Sequence, residues 1–163
     1  MKHERLYEEV EKQIRAHPDD VKFAGGVGEE WIRKAEGALG LRFPPSFRRY
    51  LAQYGGGSIG GEVVNGLLGI PFEDACGPDI VYNTELDRKQ SGLDPNLVVL
   101  VDNDGDEAFY LDLSRVDQDG ESPVVRAVIE EPAARQPYAD SFAAFLLKRI
   151  EFFLSGRRAG KAP

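Results

Sequence analysis

The stretch LVVLVDNDGDEAFYLDL, residues 97–113, decides the fold. Residues 97–101 are a compact apolar run, and residues 109–113 alternate between apolar and polar side chains. The Asn103-Asp104-Gly105 stretch between them has the chemistry of a hairpin turn, because Asn, Asp and Gly tolerate the backbone angles that such turns demand. A second turn at 117–120 leads to a third strand at 124–129. Connections this short build an antiparallel meander, since parallel neighbours need long crossovers.

A meander has an apolar face to cover, and the chain supplies a helix for it. Asp140 or Ser141 can cap that helix, and Phe142, Phe145, Leu146, Ile150 and Phe153 recur at the spacing of a wide apolar stripe. Residues 155–163, SGRRAGKAP, have no apolar periodicity and read as a frayed or disordered tail.

Upstream of the strands the period is helical. Leu6, Val10 and Ile14 share one face of a helix that should stop at His17-Pro18. Trp31, Ile32, Ala35 and Leu39 define a second helix, with Gly40 where a left-handed residue is wanted. Pro44 and Pro45 start a third, marked by Phe47, Tyr50, Leu51 and Tyr54 and ended by Gly55-Gly56-Gly57, read as a turn needing positive φ. Residues 63–68 are a strand candidate, and Asp79 can cap a helix to about Arg88 that fits no clean period. The expected architecture is a single α+β domain over residues 1–154, with one mainly antiparallel or mixed sheet and flanking helices.

Composition limits the function. With 20 Lys and Arg against 28 Asp and Glu, the net charge is −8, which argues against nucleic acid as a direct ligand because phosphate binding needs clustered cations. Residues 102–121 hold eight of the acids (Asp102, Asp104, Asp106, Glu107, Asp112, Asp117, Asp119 and Glu121) and one base, Arg115. The first residues lack the apolar core of a signal peptide, and no window is long and apolar enough to span a membrane, so the cytoplasm of the producing cell is the expected location. Cys76, the only cysteine, cannot form an internal disulfide and reads as a buried thiol.

Catalytic and cofactor chemistry find little to stand on. The only histidines are His3, near the chain end, and His17, beside a helix-ending proline. No nucleophile elbow, phosphate-binding loop or dinucleotide fingerprint is present. Asp102-Asn103-Asp104-Gly105-Asp106 begins like a calcium loop, but Gly105 is fourth where the sixth is required and Leu113 stands where the bidentate Glu belongs. No catalytic residue, metal ligand set or cofactor site is therefore expected. The acidic segment reads as a solvated hairpin surface or a partner-binding one.

The ordered series Ile32, Glu36, Leu39-Gly40, Pro44-Pro45, Tyr50-Leu51, Gly55-Gly56-Gly57, Gly69-Ile70, Arg88, the strand to Val101, Asp104-Gly105-Asp106, Tyr110-Leu111-Asp112, Pro123-Val124-Val125, Ser141-Phe142 and Phe145-Leu146 resembles the SUKH superfamily, also called Smi/Knr-like. The stretches DIVYNTELDRK and GDEAFYLDL look most like the bacterial antitoxins of the YobK type. The resemblance implies an α+β fold and an immunity protein: a non-enzymatic partner of a secreted toxin, often a nuclease, neutralised by binding inside the producing cell. An acidic surface suits such a basic partner, and Asp102, Asp104, Asp106, Glu107, Asp117, Asp119 and Glu121 are the expected partner-binding residues. The alternative is a scaffold or regulator that binds a host signalling or cell-wall-assembly protein, as the fungal relatives imply. An acid-only hydrolase or calcium module is a third class.

Overall fold

Punctuation by proline, glycine and small polar residues sets where each helix begins and ends. The structure, a computed structural model, describes residues 2–103, 106–128 and 131–160. Helix α1 (Lys2–Ala16) stops before His17-Pro18 and buries Tyr7, Val10 and Ile14 together with His3. Helix α2 (Glu29–Leu39) buries Ile32, Ala35 and Leu39 and ends on Gly40 at φ 69°, the left-handed cap expected there. Helix α3 (Pro45–Gln53) opens on its proline and buries Phe47, Tyr50 and Leu51.

The meander is present and has one strand more than expected. Strands β4 (Leu97–Asn103), β5 (Glu107–Asp112), β6 (Val124–Val128) and β7 (Glu131–Ala139) pair antiparallel in chain order. Pairing of Asn103 with Glu107 closes the first hairpin, although its tip, Asp104-Gly105, lies outside the described residues, as does 129–130. The sequence reading missed β7 because it carries Pro132 and Pro137. Proline removes a ladder donor and is tolerated on an edge strand, which is where β7 lies.

The strand residues form two sheets where one was expected. Three-residue strands β1 (Val21–Phe23), β2 (Gly57–Ile59) and β3 (Glu62–Val64) make a second antiparallel sheet in the order β1-β2-β3. The strand candidate at 63–68 shrinks to β3, and elements this short carry no readable period. Asn65 ties the small sheet to the large one: its N–H donates to Leu100 O at 2.8 Å and its Nδ2 to Val99 O at 2.9 Å. The register shift in β4 falls between Val99 and Val101, so these two carbonyls lie at it, and Asn65 satisfies a strand edge that would otherwise be open.

Helix α4 (Ile80–Ser91) begins where the Asp79 side chain accepts the Tyr82 N–H at 2.9 Å. It packs against both α2 and β4. Ile80, Val81 and Thr84 are buried, and Thr84 Oγ1 accepts the Val99 N–H at 3.1 Å. Contact on two sides, one of them through a hydroxyl, explains why the sequence shows no single apolar stripe.

Helix α5 (Phe142–Gly160) closes the core. Ser141 Oγ caps it by accepting the Ala144 N–H at 3.1 Å, and the helical backbone continues through Gly160 into the stretch read as a tail. Phe142 meets Phe47 with ring centres 4.9 Å apart, and Phe145 meets Phe109 at 5.3 Å. On the opposite sheet face Leu93, Leu97, Val99 and Val125 form a second, smaller apolar cluster. Strand β4 is thus buried on both faces, which is why 97–101 reads as an unbroken apolar run.

Two local expectations change. Of Gly55-Gly56-Gly57 only Gly55 has a positive φ, 76°; Gly57 is needed because a Cβ there would lie 1.9 Å from Lys22 O in the paired β1. Cys76 is exposed, not buried. Its neighbour Ala75 turns inward and Gly77 reverses the chain at φ 62°, which leaves the thiol outside.

Candidate partner-binding surface

The acidic segment is continuous in sequence but divided in space. Strand β5 separates its two halves, and its five residue steps from Glu107 to Asp112 span about 17 Å at the antiparallel rise. Asp102, Asp106 and Glu107 lie at the hairpin end; Asp117, Asp119 and Glu121 lie in the loop beyond the other end. Asp104 lies outside the described residues.

At the hairpin end, Asp102 and Asp106 are exposed. Glu107 is half-buried and turned to internal work, since it accepts from Arg126 Nε at 2.5 Å and lies 3.6 Å from Arg149 Nη2. Asp87 of α4 joins this group: burial, then the nearby Asp102 charge, push its carboxyl above the usual range. Burial and the same two acids also push the Tyr110 hydroxyl up. Nothing in the sequence marked Asp87, because its neighbour Asp102 belongs to another element.

At the far end the loop is ordered by its own carboxylates. Asp112 accepts from Ser114 Oγ at 2.6 Å, from the Ser114 N–H at 3.1 Å and from Arg115 Nε at 3.2 Å. Asp117 Oδ1 accepts the Asp119 and Glu121 N–H groups at 2.8 and 2.9 Å, and Gly120 completes the turn at φ 84°. Asp117 Oδ2 lies 2.9 Å from His3 Nε2. Desolvation works against the Asp117 charge, but the two N–H groups and His3 outweigh it and hold the carboxyl below its usual range.

Glu121 departs most from the expected solvated surface. Only 3% exposed, it accepts the Ser46 N–H at 2.9 Å and the Ser46 hydroxyl at 2.8 Å. Ser46 sits in the first turn of α3, where backbone N–H groups lack helical partners, so a carboxylate 75 residues away caps the helix. Burial raises the Glu121 carboxyl; hydrogen bonds from Ser46 and the His3 charge pull it back, and Asp117 pushes it up.

Between α1, α3 and this loop lies a groove of about 280 Å³, lined by His3, Glu4, Tyr7, Ser46, Arg49 and Asp119 among others. His3 is buried in its wall, not loose at the chain end. The sequence reading found no ligand set because it weighed histidines and acids by spacing, whereas the fold brings His3 beside Asp117 and Asp119 across more than a hundred residues. No helix of the described residues is long and apolar enough to cross a membrane.

Four of the seven expected partner residues, Asp102, Asp106, Asp117 and Asp119, are on the surface. Both acidic groups lie inside the span that matches a family model. That match is to the SMI1 / KNR4 family (SUKH-1) over residues 26–148, well over half of the chain, and the span runs from just before α2 into α5. This chain belongs to the SMI1 / KNR4 family (SUKH-1).

Proposed function

We propose that this chain is an immunity protein that binds a nucleic-acid-cutting toxin domain and holds it inactive in the cytoplasm of the cell that makes both. Family membership over residues 26–148 carries the reading, because this family includes immunity proteins that work by binding a protein partner. Charge supports it. A net charge of −8 complements a basic nuclease, and complementary fields speed encounter and penalise wrong partners.

Within the reading, Asp102 and Asp106 at one end of β5, and Asp117 and Asp119 at the other, face the partner. Glu107 and Glu121 hold the two acidic ends in place from inside. The work is done by occupancy, not by chemistry on a substrate. Protection must outlast the toxin, so nanomolar or tighter binding is expected, on the order of −12 kcal/mol. The test is co-purification of the chain with a toxin domain encoded beside it. A 1:1 complex supports the reading; two separate peaks at micromolar concentration count against it.

A further inference from the structure

His3, Asp117 and Asp119 offer one donor atom each, and these atoms lie within 4.8 Å of one another. His3 Nε2 is 2.9 Å from Asp117 Oδ2 and 3.9 Å from Asp119 Oδ2. A second observation concerns the imidazole itself. His3 is more than nine-tenths buried, and its Nδ1 has no hydrogen-bond partner among the described residues. Nδ1 diverges from Nε2 around the ring, so the nitrogen that faces Asp117 and Asp119 is Nε2.

We propose that His3 Nε2, Asp117 Oδ2 and Asp119 Oδ2 form a binding site for a divalent first-row transition ion, zinc in the first place. One imidazole with two carboxylates fits zinc better than calcium or magnesium, which prefer oxygen alone. Bonds of about 2.0–2.1 Å in a tetrahedral zinc site set donor atoms about 3.3 Å apart. The His3–Asp117 contact therefore opens by about 0.4 Å and the Asp119 contact closes by about 0.6 Å.

The two carboxylate oxygens, within 4.8 Å of each other, must also settle about 3.3 Å apart. Asp119 is 45% exposed and can swing, while Asp117 is pre-oriented because its other oxygen accepts two backbone N–H groups. Zinc on Nε2 fixes the ring proton on Nδ1. Solvent fills the remaining positions. The ion would clamp the start of α1 to the acidic loop, and His3 lies outside the span of the family match.

The test uses untagged full-length protein carrying Cys76→Ser, so that the exposed thiol cannot contribute. Zinc, calcium and magnesium are titrated into chelator-treated samples by calorimetry, with His3 and His17 ring resonances followed by NMR. Expected are one zinc per chain, a melting temperature raised by several degrees, a saturable shift of the His3 ring and not of His17, and no comparable response to calcium or magnesium. Asp119→Ala and Asp117→Asn, the latter keeping an oxygen for the two N–H groups, each weaken zinc about tenfold or more. Circular dichroism without metal shows that both variants fold. The site is refuted if zinc gives no saturable binding, if both folded variants bind it as tightly as the parent, or if His17 responds in place of His3.

Discussion

Glu62 of β3 and Arg149 of α5, 87 residues apart, share two hydrogen bonds, Nε to Oε1 at 2.8 Å and Nη2 to Oε2 at 2.6 Å. Their side chains are only 4% and 6% exposed. Asn103 Nδ2 also donates to Glu62 Oε2 at 2.8 Å, and Arg149 lies 4.7 Å from the Phe109 ring centre. Desolvation works against the Arg149 charge, but Glu62 and Tyr138 outweigh it and raise its pKa. One ion pair thus joins the small sheet, the large sheet and the closing helix.

Arg149→Met should cost about 3–5 kcal/mol, because it leaves the Glu62 carboxylate buried without its partner. Replacing both by Met should recover more than half of that loss. A double-mutant cycle by urea unfolding reads the coupling directly, and purely additive losses would show that the two charges act independently.

Glu121 predicts a pH dependence of the opposite sign to that of an ordinary paired carboxylate. Its folded pKa is raised by burial, so the fold holds its proton more tightly than the unfolded chain does. The stabilising contribution is complete below the unfolded value of about 4.3 and is lost as pH rises through the folded value. Glu121→Gln keeps an acceptor for the Ser46 N–H and has no charge to desolvate. Its stability relative to the parent should therefore climb between about pH 4 and pH 7. A flat difference in urea unfolding across that range would mean that Glu121 titrates as a surface acid.

Two glycines should respond oppositely to alanine. Gly57→Ala forces a Cβ to 1.9 Å from Lys22 O and should cost about 1–3 kcal/mol or more by breaking the β1–β2 pairing. Gly37, exposed within α2 with open space around it, should stabilise by about 0.5–1 kcal/mol when changed to Ala. Thermal melting of the two variants separates a glycine required by contact from one that is only tolerated.

Elements with a clear period or strong punctuation were legible in sequence. α1, α2, α3 and α5 follow from apolar spacing and from Pro18, Gly40, Pro45 and Ser141, and β4 and β5 follow from the hairpin composition between them. β1 and β2 were not, and β3 only as part of the wider candidate at 63–68, since three residues cannot display a period, and the prolines of β7 hid an edge strand. The acidic surface was legible as composition alone. Its division by β5, the burial of Glu121 against Ser46 and the approach of His3 to Asp117 depend on contacts over 75 and 114 residues, for which local sequence carries no signal.

The two acidic ends can be weighed separately once a partner is in hand. Asp102→Asn with Asp106→Asn, and Asp117→Asn with Asp119→Asn, should each leave folding intact and slow association about tenfold at low salt, with the difference fading as ionic strength rises. Stopped-flow association rates decide this. An unchanged rate for either pair marks that end as solvated surface outside the interface.

Survival of cells is the most direct measurement of the central claim. A toxin domain encoded beside this chain is expressed inside cells, with and without the chain. Immunity predicts growth with the chain and death without it, with protection following the amount of complex formed. Equal death in both cultures, with no complex recovered from either, would contradict the account and favour a regulator of some other partner.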